Sequence, residues 1–410
     1  MCSSDLLIDD LRAGRNIAEC VTALLEAGVS GEYLFKKLSE PIRYKDEKKG
    51  SQTGAVQLED DYMLEYAVQI PGSYKPNKPL PVLFVLHGGV TMPEPIPVGQ
   101  LGSQVGGSVS GIVAKAKSDF ILIVPQGSKR SPWWTRNGHT MVNEALKKVK
   151  RQYNVDTNRV FVTGFSDGGS GSYFHAGVDP TKFAATFPMN GMITNSEGGG
   201  MRVFVENYRN RPMFVCHTTD DHLYPGPIVA GVVDGLKEQG VDIAFHMFEN
   251  MGHTMGYSDQ IAPNMAQWLD TKVRDPWRDT VEWATLDPQT LGRCDWLVIG
   301  EIGSTEESEP FTATSLNGGG RTMFGHRGAG WVKVVKKDNE FTVEAKGAKQ
   351  FRIGLRPGFI DPKQPIVVTV NGKKLFEGDF AFDAASVLSS FVRDEDPQTV
   401  VGSYLEIFVP

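Results

Sequence analysis

The sequence predicts a doubly wound α/β domain with a mostly parallel sheet, followed by an antiparallel β domain that resembles a sandwich. Between residues 55 and 273, short and continuously apolar runs alternate with helix-like stretches. Such runs are typical of strands that are covered on both faces of a parallel sheet. After Arg274 the pattern changes to short β runs with glycine turns, which is typical of an antiparallel sandwich. We therefore expect three parts: a helical leader and linker (1–54), an α/β domain (55–273) and a β-rich C-terminal domain (274–410).

The elements of each part follow from the spacing of the apolar residues. The leader shows helical spacing between Asp5 and Leu38, and residues 39–54 are polar and lysine-rich, as in a linker. In the α/β domain, strands are predicted at 55–58, 63–70, 81–86, 120–125, 160–163, 183–188, 212–216 and 243–248. Helices are predicted there at 109–117, 141–153 and 261–273. In the β domain, strands are predicted at 296–299, 331–335, 341–345, 351–355, 366–370 and 404–409. Asn371-Gly372 predicts a type I′ hairpin turn between two of them.

Composition and charge exclude several classes of partner. With 42 Lys and Arg against 49 Asp and Glu, the net charge is −7 and no long basic run is present, so nucleic acid is not expected as a partner. The 40% hydrophobic content is typical of a soluble globular protein, and no stretch has the roughly 18 consecutive apolar residues of a membrane span. Neither a cofactor nor a metal is predicted. The sequence does not indicate an oligomeric state.

The cysteines and the N-terminus bear on the compartment. Cys2, Cys20, Cys216 and Cys294 are too scattered for a disulfide scaffold, so we interpret them as free thiols. The N-terminus lacks a basic and then apolar export signal, which favours the cytoplasm. Alternatively, Met1-Cys2-Ser3-Ser4 is the remainder of a trimmed lipoprotein signal, and the protein is then exported.

A Gly-x-Ser-x-Gly motif follows the apolar run at 160–163. Gly164-Phe165-Ser166-Asp167-Gly168 predicts a nucleophile elbow, in which the serine lies in a strained turn between a strand and a helix. The motif alone is equally compatible with an ordinary glycine-rich turn. Ser166 becomes a nucleophile only if a histidine takes its proton and a carboxylate orients that histidine.

Candidates for the base and the acid follow two later strands. His253 comes after the strand at 243–248, while Asp220 and Asp221 come after the strand at 212–216. The carboxyl ends of parallel strands meet at one edge of a sheet, and the order Ser, Asp, His is that of α/β-hydrolases. We therefore predict Ser166 and His253 as catalytic, with Asp221 as the acid and Asp220 as its competitor. A metal cluster of His217, Asp220, Asp221 and His222 is the alternative interpretation.

Two further segments are predicted at the same edge. His87-Gly88-Gly89-Val90 follows the strand at 81–86, and the N–H groups of Gly88, Gly89 and Val90 are predicted to form an oxyanion hole with the N–H of Asp167. His87 is expected to support this loop. Trp133, Trp134 and Met255 are predicted to bind substrate, with core packing as the alternative for at least one of the tryptophans and for the methionine.

A set of motifs in residues 60–273 resembles the esterase group that includes feruloyl esterases and polyhydroxybutyrate depolymerase-like proteins. These motifs are Leu86-His87-Gly88-Gly89, Pro125-Gln126-Gly127, Val155-Asp156-x-x-Arg159-Val160, residues 164–169, Phe183-Ala184-Ala185, His217-x-x-x-Asp221 and Gly252-His253. The resemblance implies an α/β-hydrolase fold and selects Asp221 as the acid, four residues after His217. Thr218 differs from the glycine that the group often has there. The β-rich tail is similar to that of some bacterial hydrolases of predicted-peptidase type.

The sequence therefore predicts a serine carboxylic ester hydrolase that acts through an acyl-enzyme on small or polymer-linked acyl esters of feruloyl, acetyl or hydroxyalkanoate type. Two alternatives remain: a serine peptidase of oligopeptidase type, and a non-catalytic hydrolase fold that serves as a binding module.

Overall fold

The chain forms two compact units in the computed structural model, which describes residues 3–303, 311–318 and 321–410. The α/β unit comprises residues 44–275 and 313–326. The β unit comprises residues 1–43, 276–312 and 327–410. Cys2 lies outside the described residues, whereas Cys20, Cys216 and Cys294 are buried thiols that form no disulfide among the described residues, as predicted.

Three N-terminal helices belong to the β unit. They are α1 (Ser3–Arg12), α2 (Ile17–Glu26) and α3 (Gly31–Ser39). Leu24, Leu34 and Leu38 are buried in one apolar cluster with Leu388 and Phe391, near the other end of the chain. The predicted leader is therefore not a separate part of the fold, because distant residues of the same unit cover its apolar face.

A mixed sheet is the centre of the α/β unit. Its strands are β1 (Gly50–Gln57), β2 (Met63–Ile70), β3 (Leu80–Leu86), β4 (Ile121–Pro125), β5 (Val155–Phe165), β6 (Ala185–Met189), β7 (Met213–Thr218) and β8 (Ile243–Phe248). Their spatial order is β1-β2-β4-β3-β5-β6-β7-β8. β1 and β2 are antiparallel, whereas β3 to β8 are parallel. The carboxyl ends of β3, β5, β7 and β8 therefore meet at one edge.

Helices cover both faces of this sheet. They are α4 (Val98–Leu101), α5 (Gly106–Val113), α6 (Arg136–Gln152), α7 (Asp167–Val178), α8 (Val205–Tyr208), α9 (Gly226–Glu238) and α10 (Ser258–Thr271). Alternate residues of β3 enter the two cores. Phe84 and Leu86 join the apolar cluster of α6, and Leu83 and Val85 join the cluster of α5 and α10. The continuous apolar run of β3 thus reflects a strand that is buried on both faces.

The rest of the chain adds short strands and two helices. They are β9 (Thr280–Thr285), α11 (Pro288–Leu291), β10 (Arg293–Cys294), β11 (Leu297–Ile302), β12 (Phe311–Thr312), β13 (Leu316–Gly318), β14 (Arg321–Met323), β15 (Arg327–Lys337), β16 (Glu340–Lys346), β17 (Ala348–Leu355), β18 (Ile366–Val370), β19 (Lys373–Gly378), α12 (Ala384–Asp394) and β20 (Ser403–Phe408). Within the described ranges, none of the helices combines the length and the apolar character that a membrane crossing requires.

Two sheets of the β unit share one core. One has the order β10-β11-β17-β20, and the other has the order β12-β15-β16-β18-β19, with β9 paired to β15. Trp283, Trp296 and Phe351 are fully buried between them. The described pairs are antiparallel except for the parallel pair β16 and β18. Asn371 and Gly372 connect β18 to β19 with φ values of 50° and 81°, as a type I′ turn requires.

Residues 313–326 form part of the α/β unit, although they lie within the sequence of the β unit. They contain the antiparallel pair β13 and β14. Phe324 is 2% exposed and its ring lies 6.1 Å from that of Tyr208. The Thr314 N–H donates to the Glu206 carboxylate at 3.0 Å. The predicted boundary near Arg274 coincides with one boundary of the units, but the exchange of this segment was not predicted.

Candidate active site

Ser166 lies at the turn between β5 and α7 with φ of 60° and ψ of −123°, a conformation that non-glycine residues rarely adopt. Its N–H donates to the Met189 carbonyl and its carbonyl accepts the Ser170 N–H, both at 3.0 Å. A Cβ on Gly168 would lie 1.9 Å from the carbonyl oxygen of Leu86, so this position tolerates only glycine. The motif at 164–168 therefore forms a nucleophile elbow with a partly exposed serine.

His253 and Asp221 are paired beside this elbow. His253 lies in the loop after β8, and its Nδ1 is 2.8 Å from Oδ2 of Asp221 in the loop after β7. The imidazole packs against Phe165, with 4.7 Å between ring centroids. Because Nδ1 is bound to the carboxylate, Nε2 is the nitrogen that remains for the proton of Ser166. The Asp220 carboxylate instead accepts the hydroxyl of Thr219 at 2.8 Å.

The Asp221 carboxylate is buried and accepts several hydrogen bonds. Oδ1 accepts the N–H groups of Leu223 and Tyr224 at 2.9 and 3.0 Å, and Oδ2 accepts Nδ2 of Asn190 at 2.9 Å as well as His253. Burial raises the pKa of this carboxyl, but the hydrogen bonds from Asn190, Tyr224 and His253 outweigh burial and lower the pKa below its ordinary value. Asp221 therefore stays ionised and fixes the proton of His253 on Nδ1.

Two buried residues that the sequence analysis did not single out hold this acid. Asn190 follows β6 with a φ of 43°, and its Oδ1 accepts the Tyr257 hydroxyl at 2.8 Å. Nδ2 of Asn190 thereby points to Asp221. From the sequence alone, Asn190 does not indicate a role at the site, because asparagine is also common in ordinary turns. Its position after a strand becomes informative only when the end of that strand is known.

The residues of the metal alternative do not converge. His217 is fully buried, and its Nε2 donates to the Tyr224 carbonyl at 2.8 Å. Burial lowers the pKa of His217, so it is neutral at pH 7. Over the described ranges, no three His, Cys, Asp or Glu side chains are arranged to hold a metal ion. His217 instead closes the loop that carries Asp221.

The His87-Gly88-Gly89 loop lies against the nucleophile. A Cβ on Gly88 would lie 3.1 Å from Cβ of Ser166, and Gly89 has a φ of +70° that favours glycine. The Gly127 N–H donates to Nε2 of His87 at 3.0 Å, so the ring proton is on Nδ1 and donates to the Gly88 carbonyl at 2.7 Å. Burial lowers the pKa of His87, which keeps the ring neutral. His87 thus supports the loop, as predicted.

The predicted oxyanion donors need one correction. The Val90 N–H donates to Oδ2 of Asp167 at 3.0 Å, so it is not available to an oxyanion. Asp167 is the first residue of α7, and the first N–H groups of a helix have no partner within that helix. Within the described hydrogen bonds, none uses the N–H of Gly88 or of Gly89. The N–H groups of Gly88, Gly89 and Asp167 therefore stay the predicted donors.

The structure contradicts a substrate contact for Trp133. This side chain is fully buried, and its Nε1 donates to the His87 carbonyl at 2.9 Å. It therefore supports the loop of residues 87–90, which we call the glycine loop, from the protein interior. Trp134 is half-buried and its Nε1 faces Gly198 in the segment after β6. Met255 is half-buried against the core of α5 and α10. Substrate binding by Trp134 and Met255 stays a prediction.

Known proteins resemble the part of the chain that carries these residues. The sequence model of the dienelactone hydrolase family matches residues 128–285. A probable feruloyl esterase C of Aspergillus flavus is 32% identical over 142 residues, which are 33% of this chain and 49% of that protein. A bifunctional acetylxylan esterase/xylanase of Neocallimastix patriciarum is 26% identical over 48% of this chain and 26% of that protein.

Among solved structures, a ferulic acid esterase aligns with a TM-score of 0.43 and 20% identity, over 54% of this chain and 98% of that chain. The chain spans about half the length of the feruloyl esterases that it matches. The family match and the feruloyl esterase relatives confirm the predicted resemblance to esterases of feruloyl esterase type, and the fold is that of an α/β-hydrolase.

Proposed function

We propose that the chain is a serine carboxylic ester hydrolase that acts through an acyl-enzyme. Ser166 is the nucleophile, His253 is the base and then the acid, and Asp221 orients the imidazole. The observation that carries this proposal is the 2.8 Å contact between His253 and Asp221 beside a strained elbow with Ser166 at its apex. The names of the curated relatives, which are feruloyl and acetylxylan esterases, support the same reaction class.

The proposed reaction has two halves. Oγ of Ser166 attacks the ester carbonyl carbon and its proton passes to Nε2 of His253. The carbonyl oxygen becomes an oxyanion that accepts hydrogen bonds from the N–H groups of the Gly88-Gly89 segment and of Asp167. The intermediate collapses to an acyl-serine, and His253 protonates the departing alcohol. Water then attacks the acyl-serine, with its proton passing through His253, and releases the carboxylic acid and free Ser166.

Exposed apolar side chains on the loops that carry the site support an uncharged, partly apolar ester. Met92, which follows the glycine loop, is 62% exposed, and Leu223, which follows Asp221, is 55% exposed. Trp134 and Met255 are half-buried at the same sheet edge. We propose acyl groups of feruloyl, acetyl or hydroxyalkanoate type, on small or polymer-linked alcohols, as the substrates to test first.

Labelling with a fluorophosphonate tests the nucleophile directly. Wild type should be labelled and should hydrolyse p-nitrophenyl acetate or methyl ferulate, whereas Ser166→Ala should lose the label and at least about 1,000-fold in kcat, because the hydroxyl forms the covalent bond. The exposed Ser110→Ala is the matched control and should retain both activities.

Two results would contradict the proposal. Faster turnover of aminoacyl anilides than of every ester would favour a peptidase. A folded wild type that neither takes the label nor turns over any ester would favour a non-catalytic binding module.

A further inference from the structure

One carboxylate joins the glycine loop to the loop that carries the acid. Oδ2 of Asp167 accepts the Val90 N–H at 3.0 Å, and Oδ1 accepts the hydroxyl of Tyr224 at 2.8 Å. Asp167 itself follows Ser166 directly at the start of α7. Three separate loops of the α/β unit therefore meet at this one side chain.

The second partner, Tyr224, is itself part of the acid loop. Its N–H donates to Asp221, its carbonyl accepts from His217 at 2.8 Å, and its ring centroid lies 5.7 Å from that of His253. Burial, together with the neighbouring Asp167 carboxylate, raises the pKa of Tyr224 to about 12. The phenol therefore stays protonated, and it donates to Asp167 throughout the pH range in which a histidine base works.

The hydrogen bond to Val90 is buried, and the one to Tyr224 is partly buried. Asp167 is 7% exposed and Val90 is fully buried. A buried carboxylate that accepts from a backbone N–H is a strong acceptor, since charge-assisted hydrogen bonds are about twice as strong as neutral ones. Gly88 and Gly89 carry no side chain that could hold the loop, so the bond at Val90 fixes the end of the loop that follows the predicted oxyanion donors.

We propose that Asp167 is a positioning residue, whose carboxylate holds the glycine loop (residues 87–90) at the distance from Ser166 that catalysis requires. The role is distinct from that of the Asp167 N–H, and it rests on the proposed esterase function. An oxyanion hole stabilises the transition state only if its donors stand at the correct distance, so a loop that moves by about 1 Å reduces the rate rather than the binding of substrate. A carboxylate charge near a developing anion would by itself oppose catalysis, which makes its hydrogen-bonding geometry the useful property.

Three variants separate geometry from charge. Asp167→Ala removes both hydrogen bonds and should lower kcat by about 10- to 100-fold, while KM changes by less than about 3-fold. Asp167→Asn retains an oxygen for the Val90 N–H, and its amide can donate to the Tyr224 oxygen, so it should restore kcat to within a few-fold of wild type. Tyr224→Phe keeps the bond to Val90 and should fall between the two.

The readouts are kcat and KM for a p-nitrophenyl ester, the rate constant of fluorophosphonate labelling, and thermal melting. The labelling rate should fall in parallel with kcat, because phosphonylation also places negative charge in the oxyanion hole. Asp220→Asn is the matched control, since Asp220 makes no described contact with His253 or with the glycine loop.

Three outcomes would overturn the positioning role: wild-type kcat in folded Asp167→Ala, wild-type kcat in Tyr224→Phe if Asp167→Ala does not fold, or Asp167→Asn as slow as Asp167→Ala. The last result would assign the effect to charge instead of geometry. A wild type that neither hydrolyses esters nor takes the label would overturn the proposed function itself. Because this result is measured on wild type alone, it is distinguished from a failure of the positioning role, which only the variants can show.

Discussion

Asp220 and Asp221 are adjacent in sequence but differ in burial and in partners. Asp221 is 3% exposed and contacts His253, whereas Asp220 is exposed and contacts Thr219. An amide at 221 can present an N–H instead of an oxygen to Nδ1, which destabilises the productive tautomer of His253. The Asp220 carboxylate accepts only a nearby hydroxyl, so its replacement does not affect the tautomer of His253.

We expect Asp221→Asn to lower kcat by about 1,000- to 10,000-fold and Asp220→Asn by less than about 3-fold, with ester hydrolysis of the purified variants as the measurement. Melting curves of both variants control for misfolding. A greater loss in Asp220→Asn would place the acid one residue earlier in the chain.

The positions of Ser166, Asp221 and His253 were predictable because each follows an apolar strand, and parallel strands end at one edge. The contacts around them were not predictable. The hydrogen bond from the Val90 N–H to Asp167 and the burial of Trp133 against His87 depend on which loops contact each other in the fold. A local sequence pattern does not indicate contacts between distant loops.

At the scale of elements, α6 and α7 pack through two histidines. His175 of α7 is fully buried, and neither ring nitrogen has a hydrogen-bond partner among the described residues. Its ring stacks on that of His139 of α6, with 6.2 Å between centroids. Burial, with smaller contributions from His139 and Lys182 against that of Asp179, lowers the pKa of His175 to about 3. Protonation of His175 therefore destabilises the folded chain.

This pair predicts a sensitivity to acid. The pKa of His175 in the folded chain lies below the unfolded value of about 6.5, so the unfolded chain binds the proton first and stability falls as pH drops from about 6.5 towards 3. Between pH 7 and pH 4 the loss is on the order of 3 kcal/mol. His175→Phe fits among Phe174 and Phe183 and should remove this part of the loss.

Urea unfolding at several pH values measures the effect, with the exposed His222→Phe as the matched control. An acid loss in His175→Phe equal to that of wild type would show that His175 does not titrate on unfolding.

The apolar pattern predicted most strands but not every helix. β3, β4, β6, β7 and β8 lie where continuous apolar runs predict them. β5 begins at Val155, five residues before the predicted start, because its first residues are polar. α12 was missed, since its apolar residues Val387, Leu388 and Phe391 occur in a region that otherwise shows β runs. Its apolar residues pack against the N-terminal helices, which are too distant in sequence for a local pattern to indicate the contact.

At the scale of the whole molecule, the two units exchange segments of sequence. Residues 1–43 complete the β unit, and residues 313–326 complete the α/β unit. The change of composition at Arg274 marks where one sheet ends, but it carries no information on which later residues return to it. A cut in the chain therefore affects both units, even when all three predicted catalytic residues lie on one side of it.

Truncation distinguishes the two exchanges. A chain of residues 1–275 retains Ser166, Asp221 and His253 but loses α12, which covers Leu24 and Leu34, and loses Phe324, which covers Tyr208. A chain of residues 44–275 exposes only the second of these apolar faces. We expect solubility to decrease from the full chain to 44–275 and then to 1–275, because each uncovered apolar face promotes association.

Both truncated chains should still take the fluorophosphonate label, since the eight strands that position the site are complete in them. Centrifugation after expression measures solubility, and Ser166→Ala in each truncated chain controls for non-specific labelling. Equal solubility of 1–275 and 44–275 would show that α1 to α3 need no cover from α12. A folded and soluble 44–275 chain that takes no label would show that residues outside this range act on the active site, and the assignment of catalysis to residues 44–275 would then be wrong.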